Sequence, residues 1–159
     1  ISAYGLAEQI GVSNSEAKEI IQAYMIQYPG IQAFMEEQKE FARAHDYVET
    51  IMGRKCYTLG INDKNGARRQ FAERQAINAP LQGSNADIIK MAMHEIHNVI
   101  IEKNLKSRML LTVHDELVFE IHDSEAESVP QLFKNMMEKI IHLSVPLKVD
   151  MSIGDQYEK

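Results

Sequence analysis

Apolar and polar residues recur along this chain at helical spacing in several long segments and at strand spacing in a few short ones. The opening third is helical in pattern. Gly11 ends a first helix, and Ser13 with Glu16 three residues later forms a capping box for a second. Pro29 is suited to the first position of a third helix. The predicted helices are residues 4–10, about 14–27, and 29 to about 45.

A change to strand-like patterning follows this helical third. Residues 47–51 and 55–59 are two short β-like runs joined by a hinge at residues 52–54. A polar loop, residues 60–66, closes the segment, and the composition changes around Asn65 and Gly66. We therefore expect a subdomain boundary there.

The remaining chain predicts helices and strands in turn. Residues 67–78 have a helical pattern that Pro80 should kink or break, and a strong helix resumes from 84 to about 103. A further amphipathic helix is predicted over 125–142, and alternation over 147–153 predicts a last strand. These elements indicate an α+β fold, a small antiparallel sheet packed by helices, with a separate helical opening.

The segment from Met109 to Ile121 reads MLLTVHDELVFEI and predicts a hairpin. Its two apolar runs flank His114, Asp115 and Glu116, and no Gly, Asn or Pro explains the turn. A carboxylate pair between buried strands is costly unless a cation, hydrogen bonds or water satisfies it. The segment alone leaves two interpretations open, a solvated hairpin tip and a functional site.

Composition limits the class of protein. The chain has 159 residues, a net charge of −6, one cysteine, Cys56, and no apolar run long enough for a membrane span. We therefore expect a cytoplasmic protein without an internal disulfide, not a membrane protein or a generic nucleic-acid coat. Residues 54–74 nonetheless carry six basic side chains against two acidic ones. Because the first residue is Ile1 and not Met, we also expect a piece of a longer protein.

Three donor-rich side chains, Arg74, Asn78 and Gln82, follow one another at intervals of four residues. One interpretation assigns them no function and treats them as an ordinary polar stripe that faces solvent. The functional interpretation is contact with a nucleic-acid duplex, with Arg74 at a phosphate or groove edge. The two amides would then meet minor-groove acceptors that nearly all base pairs present alike.

A helix-turn-helix is the alternative interpretation of residues 5–27. Its second helix would present Glu16 and Glu19 with a single Lys18. Such a recognition helix is poorly suited to phosphates and base edges, which favour Arg, Lys, Asn and Gln. An ordinary packed helical hairpin is the preferred interpretation.

Two motifs together carry a family resemblance. The segment RRQFAERQAINAPLQGSNADIIK, residues 68–90, precedes LLTVHDELVFEI by some twenty residues, and this order and spacing resemble the carboxy-terminal palm of family A DNA polymerases, the group of bacterial DNA polymerase I. The resemblance extends over essentially the whole chain. It includes residues 2–7, 28–31, 47–54 and 145–150.

This resemblance implies roles for individual residues. Asp115 matches the second catalytic aspartate, a ligand of the Mg²⁺ ions, and Glu116 matches the auxiliary metal-binding carboxylate beside it. His114 matches the residue that contacts the primer terminus. The family's contacts to primer-template DNA near the nascent base pair match Arg74, Asn78 and Gln82.

The resemblance also predicts what the chain is part of. Residues 1–66 would belong to the fingers subdomain and residues 67–159 to the palm of a parent that extends primers from deoxynucleoside triphosphates. In that family the first catalytic aspartate and the nucleotide-binding helix lie upstream of the position of Ile1, so we expect the isolated chain to be inactive. The family usually has a small residue at Asn85 and Trp at Tyr157, and we expect neither change to touch a ligand.

Overall fold

The computed structural model describes residues 2–157, which form two compact units. The first unit is built from the chain up to Glu49 and from Lys55 to Pro80, and the second from Thr50 to Arg54 and from Leu81 onward. Both units combine α-helices with a two-stranded antiparallel sheet. The predicted α+β fold class is therefore confirmed.

The first unit opens with three helices where the pattern predicts them. Gly11 ends the first helix in the left-handed region, with φ of 72°. Ser13 and Glu16 form the predicted capping box, in which the Ser13 hydroxyl accepts from the Glu16 N–H at 3.2 Å and the Glu16 carboxylate accepts from the Ser13 N–H at 2.9 Å. The helices are α1 (Ala3–Ile10), α2 (Asn14–Gln27) and α3 (Pro29–His45).

A short hairpin follows α3. Strands β1 (Tyr47–Glu49) and β2 (Lys55–Tyr57) pair antiparallel, with Val48 opposite Cys56, and each is shorter than the predicted run. Val48 is fully buried. It belongs to a buried cluster of one strand residue, one loop residue and three helical alanines, which are Ala42, Val48, Ile61, Ala72 and Ala76.

Helix α4 runs without interruption from Gly66 to Glu102 and includes Pro80. The prediction was a kink or a break at Pro80, and the continuous helix excludes the break. Proline in a helix interior costs about 3 kcal/mol relative to alanine, but buried side chains on both sides of Pro80, such as Ala76 and Ser84, hold the flanking turns. No helix within residues 2–157, α4 included, has the length and hydrophobicity needed to cross a bilayer.

The second unit contains the hairpin that carries His114, Asp115 and Glu116, the charged trio. Strands β3 (Arg108–Val113) and β4 (Glu116–Glu120) pair antiparallel, with an irregularity between Met109 and Leu111. Helix α5 (Val129–Lys139) and the second half of α4 pack on the hairpin. The buried cluster between these elements consists of Ile96, Val129 and Phe133, with Met109, Leu117 and Phe119 half-buried against it.

Two predictions for the carboxy-terminal part are wrong. The helix predicted over 125–142 starts later because residues 123–125 form a 3₁₀ turn, and Pro130 stands at the beginning of α5. Residues 147–153 form no strand, since a strand needs a partner for its backbone and none of the described strands pairs with them. The Val149 N–H instead donates to Glu138 Oε1 at 3.1 Å.

A hydrogen-bond network on Glu125 fixes the base of the β3–β4 hairpin. The Glu125 carboxylate accepts from the N–H groups of Lys106 and Ser107, both at 2.9 Å, and from the Ser107 hydroxyl at 2.5 Å. The Ser107 oxygen in turn accepts from the His122 N–H at 3.1 Å. These bonds, that from the Lys106 N–H foremost, hold the pKa of Glu125 below its ordinary value.

We expect Glu125→Gln to destabilise the second unit at neutral pH and to weaken the acid dependence of unfolding. Because the pKa of Glu125 is lowered in the folded state, its ionised form stabilises the fold at neutral pH, and this contribution is lost as the pH falls below 4.5. Urea unfolding midpoints between pH 7 and pH 3 measure the effect. Glu127→Gln, at an exposed position nearby, is the control, and equal behaviour of the two variants would contradict the assignment.

Candidate active site

The charged trio lies at the turn between β3 and β4. Val113 pairs with Glu116, so His114 and Asp115 form a two-residue turn. His114 has φ of 56°, in the left-handed region. A non-glycine residue costs about 1–2 kcal/mol there, and such strain is concentrated at functional sites. The turn that the sequence leaves unexplained is therefore made by a strained histidine.

The two carboxylates of the trio differ in their partners. Asp115 is exposed, and nothing within residues 2–157 forms a hydrogen bond or ion pair with its carboxylate. Glu116 Oε2 accepts a hydrogen bond from the Tyr157 hydroxyl at 2.9 Å, and the Glu116 backbone carbonyl accepts from Thr112 Oγ1 at 3.1 Å. The phenol's bond to Glu116, with partial burial, raises the pKa of Tyr157.

This contact corrects one expectation. The residue at position 157 touches Glu116, a predicted metal ligand, although no sequence pattern pairs the two positions. The two residues are 41 positions apart, and no periodic pattern links positions so distant. The only available signal was that Tyr157 stands where the resembling family has Trp.

Asp115 and Glu116 are chemically suited to Mg²⁺, which is bound in proteins by one or two carboxylates together with water and substrate phosphates. Both side chains are exposed and adjacent at the turn. Residues 2–157 contain no group of three or more His, Cys, Asp or Glu arranged to hold a metal ion. The trio thus fits part of a magnesium site, with further ligands to come from outside it.

The donor series lies on α4, as predicted. Arg74, Asn78 and Gln82 are all exposed, Arg74 and Asn78 in the first unit and Gln82 in the second. The guanidinium carbon of Arg74 is 5.9 Å from the centroid of the Phe71 ring. In the described part of the chain, the amides of Asn78 and Gln82 have no hydrogen-bond partner, so their donors face solvent.

Several other cations of the basic segment already have partners. Arg54 Nε donates to Asp87 Oδ1 at 2.8 Å and an Arg54 terminal nitrogen donates to the Gly83 carbonyl at 2.9 Å. Lys55 Nζ lies 4.2 Å from the centroid of the Tyr47 ring. These contacts are local and structural. They leave Arg74 as a cation of this segment with an aromatic contact and no acidic partner within residues 2–157.

Comparison with known proteins identifies the family of this chain. The family model for DNA polymerase family A matches residues 1–159. The chain belongs to this family. It is 43% identical over 159 residues to DNA polymerase I of Pseudomonas aeruginosa and 43% identical over 157 residues to DNA polymerase I of Bacillus subtilis. The predicted resemblance is therefore confirmed.

A solved structure agrees with this membership. The POL domain of Pol1 from M. smegmatis, in complex with DNA primer-template and dNTP, superposes with a TM-score of 0.87 and 41% sequence identity over 92% of this chain. The chain corresponds to 26% of that structure's chain and to 17–18% of the length of the two DNA polymerase I relatives. None of these comparisons supports the helix-turn-helix interpretation of residues 5–27.

We expect His114→Gly to raise the free energy of unfolding by about 0.5–1 kcal/mol, because glycine adopts a positive φ without steric cost. His97→Gly is the matched control, since His97 is exposed within α4, and there glycine should lower stability by about 0.5 kcal/mol. Urea unfolding measures both variants. A similar loss in the two would show that the turn stores no strain at His114.

Proposed function

We propose that this chain supplies the second carboxylate cluster and part of the primer-template surface of a DNA-directed DNA polymerase. The observation that carries the proposal is the exposed Asp115 carboxylate on a strained turn, beside Glu116, in a chain of DNA polymerase family A. The parent would extend a primer by nucleotidyl transfer from deoxynucleoside triphosphates. Residues 1–66 would form part of its fingers and residues 67–159 the carboxy-terminal part of its palm.

Each residue of the site has a proposed task. Asp115 and Glu116 would hold Mg²⁺, which when bound activates the primer 3′-hydroxyl and neutralises charge on the triphosphate. His114, next to Asp115 at the turn, would contact the primer terminus. All three residues of the turn region, His114, Asp115 and Glu116, are exposed. The cluster thus brings negative charge to a point where a phosphate-bound cation requires it.

The exposed donors of α4 would bind the duplex. Arg74 would contact a phosphate or groove edge, and Asn78 and Gln82 would donate to minor-groove acceptors, which A·T and G·C pairs share. Such contacts test the shape of a base pair and not its identity. A polymerase that copies any template requires this kind of contact.

We include a cytoplasmic location in the proposal, since the single Cys56 suits a reducing compartment.

A chimera tests the catalytic proposal. These 159 residues would replace the corresponding segment of Pseudomonas aeruginosa DNA polymerase I, which supplies the rest of the enzyme. We expect templated primer extension with Mg²⁺, lost by at least about 10³-fold in Asp115→Ala because the metal loses a ligand. Asp123→Ala, at another exposed aspartate, should retain activity. An active Asp115→Ala chimera would reject the assignment.

A second test assays the isolated 159-residue chain. Among residues 2–157 it carries one carboxylate cluster at the β3–β4 turn and no basic nucleotide-binding helix of the family type. We therefore expect no templated extension by the chain alone, assayed with Mg²⁺ and all four deoxynucleoside triphosphates. Incorporation that disappears in Asp115→Ala would overturn this expectation.

Measurements of DNA binding distinguish the polymerase interpretation from the helix-turn-helix and the purely structural interpretations. In the chimera, Arg74→Ala should weaken primer-template binding and reduce the slope of log K against log salt concentration by about one. Gln82→Ala should weaken binding with little change in that slope, and Lys18→Ala should change neither. Fluorescence anisotropy with a labelled primer-template at several salt concentrations measures these effects. Loss on Lys18→Ala alone would favour the helix-turn-helix, and no binding at low salt would favour a purely structural module.

A further inference from the structure

Tyr157 reaches His114, Asp115 and Glu116 from a distant part of the sequence. Its hydroxyl donates to Glu116 Oε2 at 2.9 Å. The bond joins the carboxy-terminal segment to the first residue of β4. Glu116 is also held through its backbone, where the carbonyl accepts from Thr112 Oγ1. Both ends of this glutamate are therefore fixed, unlike the neighbouring Asp115.

The bond assigns the two oxygens of Glu116 to different tasks. Oε2 accepts from the phenol, whereas Oε1 has no hydrogen-bond partner within the described residues and would be available to a cation. A hydrogen-bonded carboxylate has fewer accessible rotamers, so its free oxygen is better placed when a metal arrives. Residues that orient a metal ligand in this way affect activity without touching the metal.

From this contact we infer that Tyr157 is a positioning residue that sets the orientation of the Glu116 carboxylate. The inference rests on the proposed function, because it needs Glu116 to act at a polymerase site. Tyr157 is half exposed, and a bond so accessible to water contributes little to folding. Its effect should therefore be on the geometry of the site and not on stability. A tryptophan at this position would preserve the role, since the indole N–H is also a donor.

The chain offers a matched control for the phenol. The Tyr4 hydroxyl also donates to a glutamate, at 3.4 Å to Glu8 Oε1, on α1 in the first unit. Tyr4→Phe and Tyr157→Phe each remove one hydroxyl and one phenol–carboxylate bond. Only the second should affect the trio.

The activity test uses the Pseudomonas aeruginosa chimera. We expect Tyr157→Phe to lower kcat roughly tenfold, the low end of the range for groups that orient a metal ligand, with KM for primer-template unchanged. Tyr157→Trp and Tyr4→Phe should behave as the parent chimera. In a Glu116→Ala background, Tyr157→Phe should have little further effect, because the phenol acts through that carboxylate.

A second readout needs no metal and no activity. In the 159-residue chain labelled with carbon-13, Tyr157→Phe should shift the side-chain carboxyl resonance of Glu116, and Tyr4→Phe should leave it unchanged. An unmoved Glu116 resonance would reject the contact. If Tyr157→Phe lowered kcat by the same factor in the Glu116→Ala background as in the parent chimera, the inference would also be rejected, since the tyrosine would then act elsewhere.

The two proposals fail in distinguishable ways. A parent chimera that folds but extends no primer counts against the proposed function, and the carboxyl resonance still decides whether Tyr157 holds Glu116. An active chimera in which Tyr157→Phe has the kcat of the parent leaves the proposed function standing and overturns the positioning role.

Discussion

The position of Asp115 depends on the packing of the β3–β4 hairpin against α4 and α5. A two-stranded hairpin is at best marginally stable in water without such a layer. Phe133, Val129 and Ile96 supply it, and the Phe119 and Phe133 rings lie 4.7 Å apart between centroids. Fully burying one large apolar side chain contributes about 1.5–3 kcal/mol, which is enough to offset the strain at His114. Hydrophobic packing beneath the strands therefore allows an unfavourable, charged turn above them.

Most of the fold follows from local rules that the sequence displays. The Ser13 and Glu16 capping box, the helix starting at Pro29 and the β3–β4 hairpin all depend on residues close together in sequence. Two of the departures from prediction arise where contacts with residues distant in sequence decide the structure. Helix α4 continues through Pro80 because its neighbouring turns are buried, and residues 147–153 alternate like a strand without a strand beside them. Propensity and alternation are thus conditional on tertiary partners.

The candidate site, like the fold, is only partly predictable from the sequence. Asp115, Glu116 and the donors of α4 are predicted because charge interrupts an apolar pattern or polar donors recur every four residues, and the family resemblance implies roles for those positions. The hydrogen bond from Tyr157 to Glu116 could not be predicted, because no sequence pattern links residues that meet only through folding. The strain at His114 was likewise invisible in the sequence, since a positive φ is expected of glycine rather than of histidine, and the strand register that imposes it is known only from the fold.

The carboxylates proposed to bind metal, Asp115 and Glu116, contrast with the structural carboxylate of Glu125 in the same unit. Glu125 accepts three hydrogen bonds, one from the Lys106 N–H and two from the buried Ser107, and these lower its pKa and fix the base of the hairpin. Asp115, at the opposite end of the same strands, has no such partner within residues 2–157. A carboxylate already satisfied by the protein gains little from a cation, whereas a solvated one exchanges only water for it. Glu116 lies between these extremes, because one oxygen is held by the protein and the other is left for a ligand.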